Sequence, residues 1–178
     1  MKKRILQIMV LLLTLMGSLR LYYRKQIGNV IDEYGGIPVY FNSIPFTTQG
    51  ENMAPDGYEF GKKFENIEFV KRFYYKEYGH KIPVETVAEL YNPKLNSGEK
   101  NIAINLYQYS DDSIPEIGDI ILSKTPFGEY AGIVTKVTDE NVEIVRQNFW
   151  KETRKRFKII SENGSLKVDG ITGRLSIH

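Results

Sequence analysis

Few side chains in this sequence are equipped for covalent or acid–base chemistry, and their placing narrows what they could do. There is no cysteine among the 178 residues, so no thiolate nucleophile, disulfide framework or thiolate metal site can form. The two histidines are His80, just past a helical stretch, and His178, the last residue. So placed, they make no metal site of ordinary ligand spacing and give Ser43, Ser123 and Ser161 no base. Glu65 and Glu68 stand three residues apart, which on a helix puts both carboxylates on one face. Such a pair could act as acid and base on a glycosidic bond. No cofactor is expected.

The element that must carry those glutamates is the stretch Tyr58–Tyr75, YEFGKKFENIEFVKRFYY. Phe64, Ile67, Val70 and Tyr74 recur at three- and four-residue spacing, which predicts one buried helical face, and Gly61 and Gly79 punctuate it. Val84–Tyr91 reads as a second short helix with Pro83 near its first turn, and Asn92–Asp112 as loop with one helical turn near Ile102–Leu106. The period then changes. Ile120–Lys124, Tyr130–Val137 and Asn141–Gln147 read as strands, and Arg156–Ser161 pairs with Ser165–Val168 around Asn163-Gly164, a strong hairpin signal. Gly173–Ile177 is the last strand, Gly35–Phe41 a turn and strand near the start, and Asn42–Gly57 a surface loop. Helices first and antiparallel strands afterwards predict an α+β domain, its central helix packed on a curled antiparallel sheet.

With 42% hydrophobic and 12% aromatic residues, the chain can bury a core, and one domain over residues 36–178 is expected after a linker at 26–35. A net charge of +2 and a pI near 8.6 are too mild to indicate nucleic acid. Residues 1–25 read as a signal peptide or signal anchor, because Lys2, Lys3 and Arg4 precede an apolar run. Met16-Gly17-Ser18 lacks the small residue that cleavage wants, which favours an uncleaved, membrane-anchoring hydrophobic helix with tyrosines at the interface. The rest is expected to be a monomeric extracytoplasmic domain of the cell envelope.

Several motifs outside the anchor are more specific. They are D-G-Y-x-x-G at Asp56–Gly61, F-E-N-I-E-F-V-K-R at Phe64–Arg72, and Y-Y-x-x-x-G-H-K-x-P at Tyr74–Pro83. Q-Y with P-x-x-G-D follows at Gln108–Asp119, and V-E-I-x-x-Q-N at Val142–Asn148. Over residues 36–177 the chain thereby resembles the cysteine, histidine-dependent amidohydrolase/peptidase (CHAP) domains, papain-like cell-wall amidases and endopeptidases. The resemblance implies a papain-like fold whose central helix starts with the catalytic cysteine, a place held here by Asn66. It also implies a histidine where Tyr130 stands and an orienting residue where Arg146 stands. The expectation is therefore a catalytically degenerate CHAP domain, a pseudoenzyme.

Its groove would bind a peptidoglycan peptide or a protein partner without hydrolysis. Asn66 would cap the helix start or bond a ligand amide, and Tyr130 would form a stacking wall. Arg146 would clamp a ligand carboxylate or pair with Glu65, Glu68 or Glu129, with Gln147, Asn148 and Glu65 completing a polar site. The alternatives are an active amidase or peptidase with a rearranged site, and an immunity or regulatory partner of an active CHAP hydrolase. The resemblance gives a glutamate at the Glu68 position no catalytic part, which weakens the glycosidase reading.

Overall fold

A computed structural model of the protein describes residues 2–42, 49–110, 113–126, 128–162 and 164–178. The chain is α+β. An apolar helix, α1 (Lys2–Arg24), is exposed along most of its length and meets the domain at its C-terminal end, and a second helix, α2 (Asn66–Tyr78), packs on a curled antiparallel half-barrel sheet. Within α1, Lys3–Arg24 is long and apolar enough to cross a membrane and is not buried anywhere along its length.

Two hairpins lead into α2. The first pairs β1 (Val30–Tyr34) with β2 (Ile37–Tyr40), and the second pairs β3 (Glu51–Met53) with β4 (Glu59–Lys62). Among the described residues, the other eight strands make one sheet: β5 (Glu99–Asn101), β6 (Leu106–Tyr109), β7 (Ile120–Thr125), β8 (Gly128–Val137), β9 (Asn141–Val145), β10 (Arg154–Glu162), β11 (Ser165–Val168) and β12 (Ile171–Ser176). Their order across the sheet is β11-β10-β9-β8-β7-β12-β6-β5, with antiparallel pairing throughout.

The predicted helix forms from Asn66 onward, with Ile67, Val70 and Tyr74 buried on its inner face. Gly79 stops it in the left-handed conformation, φ 62°. The Gly79 and His80 N–H groups donate back to Tyr75 O and Tyr74 O, both at 3.1 Å, a Schellman closure that satisfies otherwise orphaned carbonyls. Phe64 lies outside the helix at φ 67°, and its ring packs on Tyr40 at 5.1 Å.

Alternation along the strands divides the interior in two. Ala131, Ile133 and Val145 face α2 and join Phe69, Val70, Phe73, Ile120 and Leu175 in the main core. Tyr130, Val134, Val142 and Ile144 face the other way, toward Phe157, Val168 and Ile171 of the curled strands. Gly132 of β8 lies tight against β9. A Cβ there would stand 2.5 Å from Ile144 Cδ1 and 2.8 Å from Val145 O, so only glycine fits.

Four expectations change. Residues 30–34, read as linker, are strand β1, docked on α2 by Tyr34, whose ring stacks on Phe73 at 5.6 Å. Val84–Tyr91 holds only a single 3-10 turn, Val87–Leu90, and Ile102–Leu106 is the turn and start of the short β5–β6 pair. The loop over 42–57 contains β3, and its residues 43–48, Ser43 among them, lie outside the described residues. So does Asn163 of the β10–β11 connection, although the strands on either side pair as expected.

β1 is fastened to β10 by Asp32, whose carboxylate accepts hydrogen bonds from Arg154 Nε at 2.6 Å, Arg154 Nη2 at 2.9 Å and Thr153 Oγ1 at 2.6 Å. Burial pushes the Asp32 pKa up, but these bonds outweigh it and hold the carboxyl at about 2, below its ordinary 3.8. The lowered value means that the pairing stabilises the fold above pH 3.8 and is lost as pH falls toward 2. Asp32→Asn should therefore cost about 1–2 kcal/mol at neutral pH. Denaturant unfolding as a function of pH should show the gap between variant and wild type closing across that acidic window.

Candidate functional site

The N-terminus of α2 meets the sheet at Asn66, the first helical residue. Glu65 is the N-cap, and its side chain makes no capping bond. The expectation that Asn66 caps the helix is thus corrected: its amide is turned onto the sheet. Asn66 Nδ2 donates to Ala131 O at 2.7 Å and to Gln147 O at 3.2 Å, while Oδ1 accepts from the Ala131 N–H at 2.6 Å. The primary amide matches the donor and acceptor of one strand residue, and both its donors are consumed. Little remains for a ligand amide.

Behind Asn66 lies a buried ionic network. Glu68 is fully buried. Its Oε1 accepts from Arg72 Nε at 2.7 Å and Asn52 Nδ2 at 2.6 Å, and its Oε2 from Gln147 Nε2 at 2.7 Å. Gln147 Nε2 also donates to Glu65 O at 2.9 Å, and its Oε1 accepts the Tyr40 N–H at 2.8 Å. Arg72 Nη1 donates to Pro38 O at 2.8 Å, with the guanidinium 5.0 Å from the Tyr40 ring. Glu68 is thereby withdrawn from any acid–base pair with Glu65. Gln147 is a structural cross-link between β2, α2 and the end of β9.

Tyr130 and Arg146 belong to the opposite face of the sheet. Both share the side-chain parity of Ile144 and Val134, and the Arg146 guanidinium stacks 3.7 Å from the Phe149 ring centroid and 5.0 Å from that of Tyr130. Arg146 Nε donates to Glu152 O at 3.3 Å, and Nη2 lies 3.5 Å from the Glu152 carboxylate. The expected partners Glu65, Glu68 and Glu129 are all otherwise engaged: Glu65 with Asn148 and Asn42, Glu68 as above, and Glu129 with Lys124 Nζ at 2.8 Å. A carboxylate clamp at Arg146 is also excluded by its burial under Phe149. Of the six residues singled out, the structure brings Asn66, Gln147, Glu65 and Asn148 together at the helix start. Glu65, Asn66, Asn148 and Tyr130 line one groove, whereas Gln147, buried beneath it, and Arg146 do not.

That groove is open, about 1100 Å³, and runs from the β3–β4 hairpin over the start of α2 to the β7–β8 turn and Phe149. Its lining is acidic: Glu51, Glu59, Glu65, Glu85 and Glu129 stand against Lys62 and Lys71, a formal excess of three negative charges. Glu51, Glu59 and Glu85 enter no ion pair among the described residues. Lys71 is occupied, its Nζ donating to Val84 O at 3.0 Å and lying 5.3 Å from the Tyr58 ring centroid. Burial lowers its pKa, against the pull of Glu59, Glu85 and Glu51. Glu65 is raised above its ordinary range, because burial outweighs the bonds from Asn148 and Asn42.

His80 lies away from the groove. Its Nε2 donates to Ile104 O at 2.8 Å, and its ring meets Tyr74 edge-on. Asp119 of the G-D run is structural as well, held at 2.6 Å by Arg174 of β12. Sequence reading missed the acidity of the groove, since its glutamates come from positions spread between 51 and 129 and share no period. The one local sign was the crowding of carboxylates at Glu51, Glu59 and Glu65 ahead of α2. No protein-family model matches the chain, and a search of the curated proteins finds no match.

Asn66→Ala would leave the buried Ala131 N–H and C=O without side-chain partners. Each such group costs about 1–3 kcal/mol, so a loss of about 3 kcal/mol is expected in denaturant unfolding of the full chain in detergent. Asn66→Asp should do no better, since it offers no donor to Ala131 O.

Proposed function

We propose that this chain is a CHAP-like, papain-like domain without hydrolytic chemistry, held at a membrane of the cell envelope, whose groove binds a cationic peptide segment. A peptidoglycan stem peptide with a free side-chain amine has that chemistry. The observation that carries the reading is the state of Asn66. At the helix start, where unpaired N–H groups and the macrodipole would favour a thiolate, there is an amide locked onto the Ala131 backbone. No histidine lines the groove around it. The order of elements, one central helix followed by antiparallel strands, agrees with the motif resemblance. The acidic lining replaces the earlier expectation of a carboxylate ligand, because five glutamates would repel one and attract an ammonium group.

A second reading is favoured by Glu65, a carboxylate with a raised pKa in the groove, which is what a general acid requires. One set of measurements separates the two. Titration of the full chain in detergent by calorimetry with a muropeptide carrying a free amine should give a Kd in the micromolar to millimolar range, roughly 4–8 kcal/mol. The N-acetylated peptide should bind at least tenfold more weakly, as should the free amine to Glu59→Gln/Glu85→Gln, and affinity should fall with added salt. Affinity should also rise with pH above the ordinary glutamate value of 4.5, because Glu65 gains its charge later than an exposed carboxylate. Hydrolysis of peptidoglycan by the wild type, abolished by Glu65→Gln, would replace the binding reading with the catalytic one. Asn66→Cys alone should not confer hydrolysis, since no imidazole stands by to take the proton.

A further inference from the structure

The end of α1 does not leave the domain as a free tether. The Tyr23 ring lies 4.5 Å from that of Trp150, edge to face, and Phe41 closes the cluster at 6.2 Å from Tyr23 and 5.8 Å from Trp150. Trp150, the chain's one tryptophan, comes from the loop between β9 and β10 and remains 45% exposed.

That loop is tightly held. Asn148 and Trp150 adopt φ of 65° and 54°, a conformation that costs non-glycine residues energy and persists only where the surroundings enforce it. Here Asn148 Nδ2 donates to Glu65 at 2.7 Å, the Glu152 N–H donates to Phe149 O at 2.9 Å, and Arg146 stacks beneath Phe149. The result is a large amphipathic ring presented beside the helix end, with exposed Tyr22 one residue away from Tyr23.

The span Lys3–Arg24 is 22 residues, about 33 Å at ~1.5 Å per residue, close to the ~30 Å hydrocarbon core of a bilayer. With α1 across a bilayer, Tyr22, Tyr23 and Trp150 fall at one depth, that of the headgroups, where tyrosine and tryptophan belts occur. Around them stand Arg24, Lys25 and Lys151, exposed and in no ion pair among the described residues. Glu152 is the one acidic neighbour in the loop, and its carboxylate leans toward Arg146.

We infer that the β9–β10 loop and the end of α1 form one membrane-interface surface, which seats the domain on anionic lipid headgroups at a fixed orientation. The inference rests on α1 crossing the bilayer, and it extends the membrane contact from the helix to the folded domain. Charge favours an anionic surface, and the aromatic trio favours the headgroup depth over bulk water.

Trp150 reports on this directly. The full chain is reconstituted into vesicles of phosphatidylcholine, alone or with phosphatidylglycerol, that carry a spin label at the headgroup or deep in the acyl chain. We expect the headgroup label to quench Trp150 at least twofold more than the deep label. Aqueous acrylamide should quench about twofold less with phosphatidylglycerol present than without. Lys151→Glu/Arg24→Glu should abolish that lipid dependence while leaving the chain resistant to alkaline extraction. Trp150 that is untouched by the headgroup label and equally open to acrylamide in both lipids, in a chain that resists extraction, would overturn the docking surface while α1 still spans. A chain released by alkaline extraction would overturn it together with its premise.

Discussion

The carboxylate of Glu68 is the constraint around which the domain is arranged. A charge with no exposed surface is tolerated only when its partners are all in place, and these come from four separate pieces of chain: Arg72 on α2, Asn52 on β3, Gln147 beyond β9, and, through Arg72 and Gln147, the backbone of β2. Removing Arg72 leaves a buried charge without its counter-ion, at a cost on the order of 3–5 kcal/mol, and removing Asn52 or Gln147 costs about 1.5–3 kcal/mol, the worth of a hydrogen bond to a charged group. The network therefore fixes the angle and height at which α2 meets the sheet. Because Gln147 also holds Glu65 O, it fixes the helix start, and with it the floor of the groove.

Given that floor, the two-residue alternation of the strands decides what can meet what. Ala131 and Gln147 lie on the helix side, Tyr130 and Arg146 on the other. Asn66 reaches the former through backbone bonds, and Tyr130 and Arg146 satisfy each other and Phe149. What is left facing solvent above the helix start is carboxylate. The electrostatic character of the groove thus follows from which residues were absorbed into the interior as much as from which remain.

The parts of this arrangement that could be read in the sequence are those written in local periodicity. Helix α2 showed itself by Ile67, Val70 and Tyr74 and by Gly79 at its end, and the β7–β8–β9 meander by runs of β-branched residues. Residues 84–91 misled because two apolar spacings after Pro83 imitate a helix too short to nucleate, and the chain settles for one 3-10 turn. Strand β1 was hidden because VIDEY is only half-buried and carries two acids, one of them Asp32, committed to Arg154 more than a hundred residues away. The site was least legible of all. Asn66 bonds a backbone, which leaves no trace in residue type at position 131. Arg146 shares the parity of Ile144, but the alternation does not say which of the two faces α2 covers, and that is what takes Arg146 away from the helix start.

The eight-stranded sheet is open, ending at β5 on one side and β11 on the other. If α1 holds copies of the chain in one membrane plane, as proposed, they meet at a far higher effective concentration than in solution, and unpaired sheet edges are where such encounters become aggregates. Both edges are blunted: β5 is three residues long and presents Glu99 and Lys100, and β11 is four long and carries Lys167. Crowding in two dimensions would thus find short, charged margins in place of a template for strand addition.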